Sequence, residues 1–170
     1  MGRLEAVRAA TAIFLIAAAT IAGAFVFQAL GYAPCELCLK ERLPYYAGIV
    51  VALLTIVLAL RGPRRLLPAV FAGLFLIFAA SAAFGAYHAG IEWGFWPGPS
   101  SCTGAISKAG SMQEFLHQLN NVKVARCDAA AIRILGLSLA GWNAVISLVL
   151  AGLAIFGLRA NLHGDTLPQN

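Results

Sequence analysis

Charge is what this chain has least of. Only 11% of its 170 residues are Asp, Glu, Lys or Arg, under half the share carried by a soluble domain. Four windows, 9–30, 43–60, 66–87 and 134–158, contain none at all. Each reaches, or nearly reaches, the roughly 20 apolar residues that cross the hydrocarbon core of a bilayer. A polar stripe is missing too: a helix of a soluble bundle keeps one on the face it turns to water, and these runs are apolar all round. There is no internal repeat, no low-complexity tract, no glycine-rich phosphate loop and no basic or aromatic signature of nucleic-acid binding. What remains is a membrane protein that does its chemistry without nucleotides or nucleic acid.

The fold class is therefore all-α: a single integral membrane domain over residues 1–170, a bundle of four transmembrane helices at about 9–30, 43–60, 66–87 and 136–158. One short loop (31–42) and one long loop (88–135) lie on one side. Arg3 and Arg8 before the first run resemble the start of a secretory signal, but a signal's apolar region is about 7–15 residues and this one is longer, which favours an uncleaved anchor. Over the whole chain the basic residues divide evenly between the two sides. Arg3, Arg8, Arg61, Arg64, Arg65 and Arg159 face Lys40, Arg42, Lys108, Lys123, Arg126 and Arg133. Orientation follows the basic residues close to the membrane ends, and dropping Lys108 and Lys123 leaves six against four. The 61–65 turn and both termini are expected on the cytoplasmic side.

Two spans and a cytoplasmic turn separate the loops, so the four cysteines, Cys35, Cys38, Cys102 and Cys127, share the non-cytoplasmic face. Thiols gathered there point to disulfide chemistry in an oxidising compartment. A four-cysteine zinc site prefers two closely spaced pairs, whereas 24 residues separate Cys102 from Cys127, so no metal is assigned. Two passive disulfides remain an open alternative. Against them stands Cys35-Glu36-Leu37-Cys38, whose spacing suits a reversible dithiol site. Gly31 and Pro34 put it in a turn after a helix. Arg42, four residues past Cys38, shares its face once a helix has begun and favours a thiolate there. The second helix is expected to begin near Leu43-Pro44, where proline is tolerated in a first turn, with Tyr45 and Tyr46 at headgroup level. Glu41 either orients Arg42 or faces water.

In the long loop, Trp93, Phe95 and Trp96 read as an interfacial aromatic belt. Pro97-Gly98-Pro99 and Gly104 surround Cys102 with irregular backbone, which predicts an exposed, adaptable thiol. Ser111 and Glu114 form a capping box. It opens an amphipathic helix over 111–121 with Met112, Phe115, Leu116 and Leu119 on one face, lying in the interface. Cys127 follows in another polar stretch, and Trp142 and Asn143 stand near the start of the last helix. His88 closes the third helix, equally suited to the interface and to carrying a proton; His117 and His163 are expected in solvent.

Cys35-x-Leu37-Cys38-x-x-Glu41-Arg42, at the outer end of a second transmembrane helix, resembles the disulfide bond formation protein B (DsbB) family. The four-span layout and the second cysteine pair extend the resemblance over nearly the whole chain. It implies an inner-membrane enzyme that reoxidises a DsbA-like periplasmic dithiol oxidase and passes two electrons to a membrane quinone, ubiquinone or menaquinone. This family is itself the standing example of a device that keeps the bacterial periplasm oxidising. By position, the resemblance makes Cys102 the sulfur attacked by the partner and Cys127 its resolving thiol. Cys35 and Cys38 then receive the electrons, Cys38 beside the quinone, with Arg42 and His88 at the quinone site.

Residue chemistry agrees with that division. Thiol–disulfide exchange needs an accessible sulfur, a lipid-soluble quinone needs its reductant at the bilayer boundary, and a cation in a partly dry site stabilises charge developing on oxygen. Arg42 is also placed to do no more than snorkel. Two rivals stay in view: a vitamin K epoxide reductase-like quinone reductase, whose Cys-x-x-Cys comes late in the chain, and a tetraspan structural or transport protein with passive disulfides.

Overall fold

In the computed structural model, residues 2–99, 102, 111–113 and 126–164 are described. The expected amphipathic helix at 111–121, including Phe115, Leu116 and Leu119, lies outside the described residues apart from its first three, as do His117, Gly104, Lys108 and Lys123. Four helices, α1 (Gly2–Ala29), α2 (Glu36–Arg61), α3 (Leu67–Glu92) and α4 (Leu139–Gly164), are long and apolar enough to cross a membrane. A short 3₁₀ turn, Arg64–Leu66, joins α2 to α3. Each helix packs on its neighbours in sequence and α1 closes against α4, with the α3–α4 contact the most extensive.

Small residues let the helices approach. Ala6, Ala10, Ala17, Ala52 and Ala154 are buried in one core with Phe71, Leu74 and Phe78. A Cβ on Gly48 would strike the Phe78 ring, one on Gly157 the Phe71 ring, and one on Gly85 the α4 backbone at Ala144. Lipid is as apolar as the core, so association rests on such packing and on interhelical hydrogen bonds. A polar seam supplies those: Tyr45 Oη and Ser147 Oγ are 3.0 Å apart, and the Ser147 hydroxyl donates to Ser81 Oγ at 2.9 Å. At the end away from the cysteines, Arg3 donates to the carbonyls of Leu60 and Gly62, satisfying acceptors that the end of α2 leaves open.

All four helices run past the charge-free windows, and two of their ends are set by glycine. Gly31 (φ 93°) follows α1; its N–H reaches Gln28 O and that of Tyr32 reaches Phe27 O. This is the paired-bond stop that a left-handed glycine permits, completed by an edge-to-face contact of Phe27 with Tyr32. Gly94 (φ 76°) ends α3 in the same way, through Gly94 N–H to Ile91 O and Phe95 N–H to Gly90 O. Helix α3 thus stops at its glycine rather than at its first polar residue, and His88 sits within the helix, not at the start of a loop. Trp96 folds back, stacking on Tyr87 and donating Nε1–H to its carbonyl.

The second helix begins at Glu36 rather than near Leu43. Cys35 is its N-cap: extended in backbone, with Sγ accepting the Cys38 N–H at 3.1 Å. A side-chain acceptor at that position satisfies an amide the first turn leaves open, and this starts the helix early. Pro44 consequently lies inside α2, where it removes one backbone bond, instead of opening the helix. The last helix starts at Leu139, not 136, because a hairpin intervenes. Arg133 pairs with Ser138 and Ile134 with Leu137, about Leu135 (φ 51°) and Gly136 (φ 84°). Two positive φ values make the tight turn that matches strand twist. Ser138 Oγ then accepts Gly141 N–H, and Trp142 Nε1–H reaches Ile134 O.

Candidate functional site

Both loops with cysteine leave the bundle at one end, and there the sulfurs converge. Cys35, Leu37, Ile91, Cys102 and Cys127 form a buried cluster, with Cys38 and Phe84 packed against it. Cys102 and Cys127 are joined as a disulfide; Cys35 and Cys38 are free thiols. The expected exposure of Cys102 is not what the fold provides: its side chain is 7% exposed and that of Cys127 is 1%. Irregular backbone around Cys102 left its environment open, and the apolar residues at the ends of α2 and α3 took the disulfide in. Arg126 and Asp128 bracket Cys127 with a two-bond ion pair in solvent, at 2.9 and 2.6 Å.

Behind Cys35 stands a pair that the sequence did not connect. His88 Nε2 lies 3.7 Å from Cys35 Sγ, and His88 Nδ1 lies 2.8 Å from Glu41 Oε1. His88 is 1% exposed and Glu41 8%. Glu41 therefore neither orients Arg42 nor faces water: it is turned inward onto His88. Glu41 on α2 and His88 on α3 meet because Cys35 caps α2 and brings the first turns of that helix level with the last turns of α3. Hydrogen bonding from the Cys38 thiol, then from His88 and the Cys38 amide, holds Cys35 well below the ordinary thiol range, against the opposing pull of burial. Its place at a helix N-terminus works in the same direction.

Arg42 points across to α1, donating to Gln28 Oε1 at 3.0 Å and lying over the Phe25 ring at 5.1 Å. It is half-buried and more constrained than a snorkelling side chain. Between α1, α2 and α4 a cavity of about 910 Å³ opens beside it. Its wall is mostly apolar, with Ile21, Phe27 and Ile146 among the lining residues, and Cys35, Cys38, Glu41 and Arg42 face it at one side. Asn143 lines it too, and its buried Nδ2 has no hydrogen-bond partner among the described residues. His88 is not part of this described lining; the reach of its Nε2 toward the cavity runs through Cys35. That size and lining suit a small-molecule site, with an apolar wall and a cation and a thiol at one edge.

Comparison with known proteins shows the family. The profile of the family described as "Disulfide bond formation protein DsbB" matches residues 6–157. Disulfide bond formation protein B of Marinobacter nauticus (strain ATCC 700491 / DSM 11845 / VT8) is 31% identical over 151 residues, 85% of this chain and 86% of that protein. An uncharacterised protein of Rickettsia prowazekii (strain Madrid E) is 26% identical over 135 residues, 76% of each chain. No solved structure matches. A four-helix membrane bundle with the Cys35–Cys38 dithiol beside the Cys102–Cys127 disulfide, matched over nearly its whole length, belongs to the DsbB family of membrane disulfide-bond formation proteins.

Proposed function

We propose that this protein reoxidises a DsbA-like dithiol oxidase and delivers the electron pair to a membrane quinone. The observation that carries the reading is the meeting of both cysteine pairs in one buried cluster, with Cys35 and Cys38 also in the wall of the lipid-side cavity. A thiolate of the partner attacks Cys102, breaking the Cys102–Cys127 bond and freeing the Cys127 thiol. Return attack by Cys127, the resolving thiol expected from the resemblance, would only release the partner reduced, so the partner's second thiol displaces Cys102 and the partner leaves as a disulfide. The reduced pair, Cys102 with Cys127, next reduces a Cys35–Cys38 disulfide, its two electrons and two protons passing inward. Cys38 and Arg42, with Asn143, would hold the quinone, and bound quinone supplies the two-electron acceptor that regenerates the inner disulfide.

The chain's own groups do the rest. Glu41 fixes the His88 ring so that Nε2 faces Cys35 Sγ, where it takes or returns the thiol proton. Arg42 sets a permanent positive charge at the cavity edge in a half-dry site, where such charge acts most strongly on developing negative charge. Because Cys102 is buried, attack by the partner requires that docking expose its sulfur. By the basic-residue count the termini are cytoplasmic and the cysteines periplasmic, in the bacterial inner membrane. Two passive struts would leave no free dithiol beside a histidine–carboxylate pair, and the early Cys-x-x-Cys disfavours the vitamin K epoxide reductase-like order. The test is Cys38→Ser: quinone reduction should cease while Cys102 still forms a mixed disulfide with the partner. Normal turnover in that variant would overturn the relay.

A further inference from the structure

The inner dithiol has a second property that does not depend on the electron route. Sγ of Cys35, Sγ of Cys38 and a ring nitrogen of His88 all lie within 4.8 Å of one another. Three donors that close can converge on a single tetrahedral cation, for which metal–sulfur bonds are about 2.3 Å and metal–nitrogen bonds about 2.0–2.1 Å. The nitrogen turned toward Cys35 is Nε2, while Nδ1 is held by Glu41 at 2.8 Å. A carboxylate on the far nitrogen is what orients a metal-binding histidine and raises its basicity. Both cysteines also line the cavity, which leaves one side of the trio unblocked by protein.

We propose that Cys35, Cys38 and His88, when the two cysteines are reduced, form a three-ligand site for a thiophilic divalent d¹⁰ cation of the zinc and cadmium class. The fourth position is open to water on the cavity side. Two thiolates and a neutral imidazole balance a dication, and Glu41 holds the far nitrogen of that imidazole. Binding releases to solvent the protons still held by the two sulfurs and by His88 Nε2, and involves no electron transfer. Once formed, the site occupies both sulfurs, so it holds the pair reduced and blocks their disulfide. The bundle thereby acquires a metal-sensitive brake that operates only on the reduced state.

The probe is Cd²⁺, whose bonds to thiolate absorb in the ultraviolet. Full-length Cys102→Ser/Cys127→Ser protein in detergent, reduced and freed of reductant under anaerobic conditions, should bind one Cd²⁺ per chain with a two-thiolate absorption band. His88→Ala should weaken that binding tenfold or more, and Glu41→Gln by roughly 10–100-fold, the range for a second partner of a metal-binding histidine. Oxidising Cys35 and Cys38 should abolish it. Because buried His88 also supports packing, X-ray absorption of the Zn²⁺-loaded, reduced chain without substitutions provides a reading free of mutation: two sulfur neighbours and at least one imidazole. The proposal is overturned by unsaturable binding, by equal affinity after oxidation or in His88→Ala, or by a zinc shell of sulfur alone.

Discussion

Glu41 is the residue whose role changes most between sequence and structure. Beside Arg42 it looks like one half of a surface pair, yet its carboxylate is spent on a buried histidine 47 positions away. If it holds the ring toward Cys35, Glu41→Gln should lower the rate of exchange at Cys35 by about tenfold while leaving the Cys102 adduct with the partner intact. Single-turnover quinone reduction against adduct yield separates the two, and equal loss of both would make Glu41 merely structural. Cys35 itself offers a pH test. Its thiol is depressed, with the hydrogen bond from Cys38 as the first cause. For a depressed acid, the stabilisation from ionising is complete above the unfolded value of about 8.5 and is lost as pH falls through the lower folded value. Site-resolved alkylation of the reduced protein should therefore keep Cys35 reactive well below pH ~8.5, and Cys38→Ala should move the midpoint upward. A midpoint at the ordinary thiol value in both proteins would contradict the assignment.

Among the elements, the α3–α4 contact is the most extensive in the bundle, and its closeness depends on Gly85. A Cβ there would come within 2.9 Å of the Ala144 backbone nitrogen, an atom that cannot rotate away. Gly85→Leu should cost about 1–3 kcal/mol, the usual penalty of overpacking, and separate Ser81 from Ser147 in the polar seam. Gly152→Ala is the control, since no atom of the described residues lies within 4 Å of its added Cβ and alanine is favoured over glycine within a helix by roughly 0.5–1 kcal/mol. Unfolding in mild detergent should rank the three proteins Gly152→Ala, unsubstituted, Gly85→Leu. A Gly85→Leu protein as stable as the parent would mean the helices can part without loss.

At the scale of the molecule, the bundle gathers both cysteine loops at one end and Arg3, with the 61–65 turn, at the other. Which end faces the cytoplasm rests on basic residues near the membrane. A reporter active only in the cytoplasm should work when fused after Asn170 and fail when inserted within 107–110. The opposite pattern would invert the orientation and place the thiols in a reducing compartment, where a standing disulfide at Cys102–Cys127 is disfavoured.

The sequence by itself determined the four spans, the early Cys-x-x-Cys at the end of α2 and the family resemblance, because each is written in local signals: charge-free length, spacing and a short motif. Helix ends were less legible. The Cys35 cap on α2 and the left-handed glycines at Gly31 and Gly94 decide them through single hydrogen bonds that hydropathy does not register. The hairpin at 133–138 escaped because its two-residue strands are too short to show a period. Only the tertiary structure decided that His88 and Glu41 meet behind Cys35 and that the Cys102–Cys127 disulfide is wrapped in apolar side chains. Those contacts join residues tens of positions apart, and the sequence around each one is compatible with solvent. They form because α2 and α3 run antiparallel from one shared surface, so that the first turns of one helix must satisfy the polar groups in the last turns of the other.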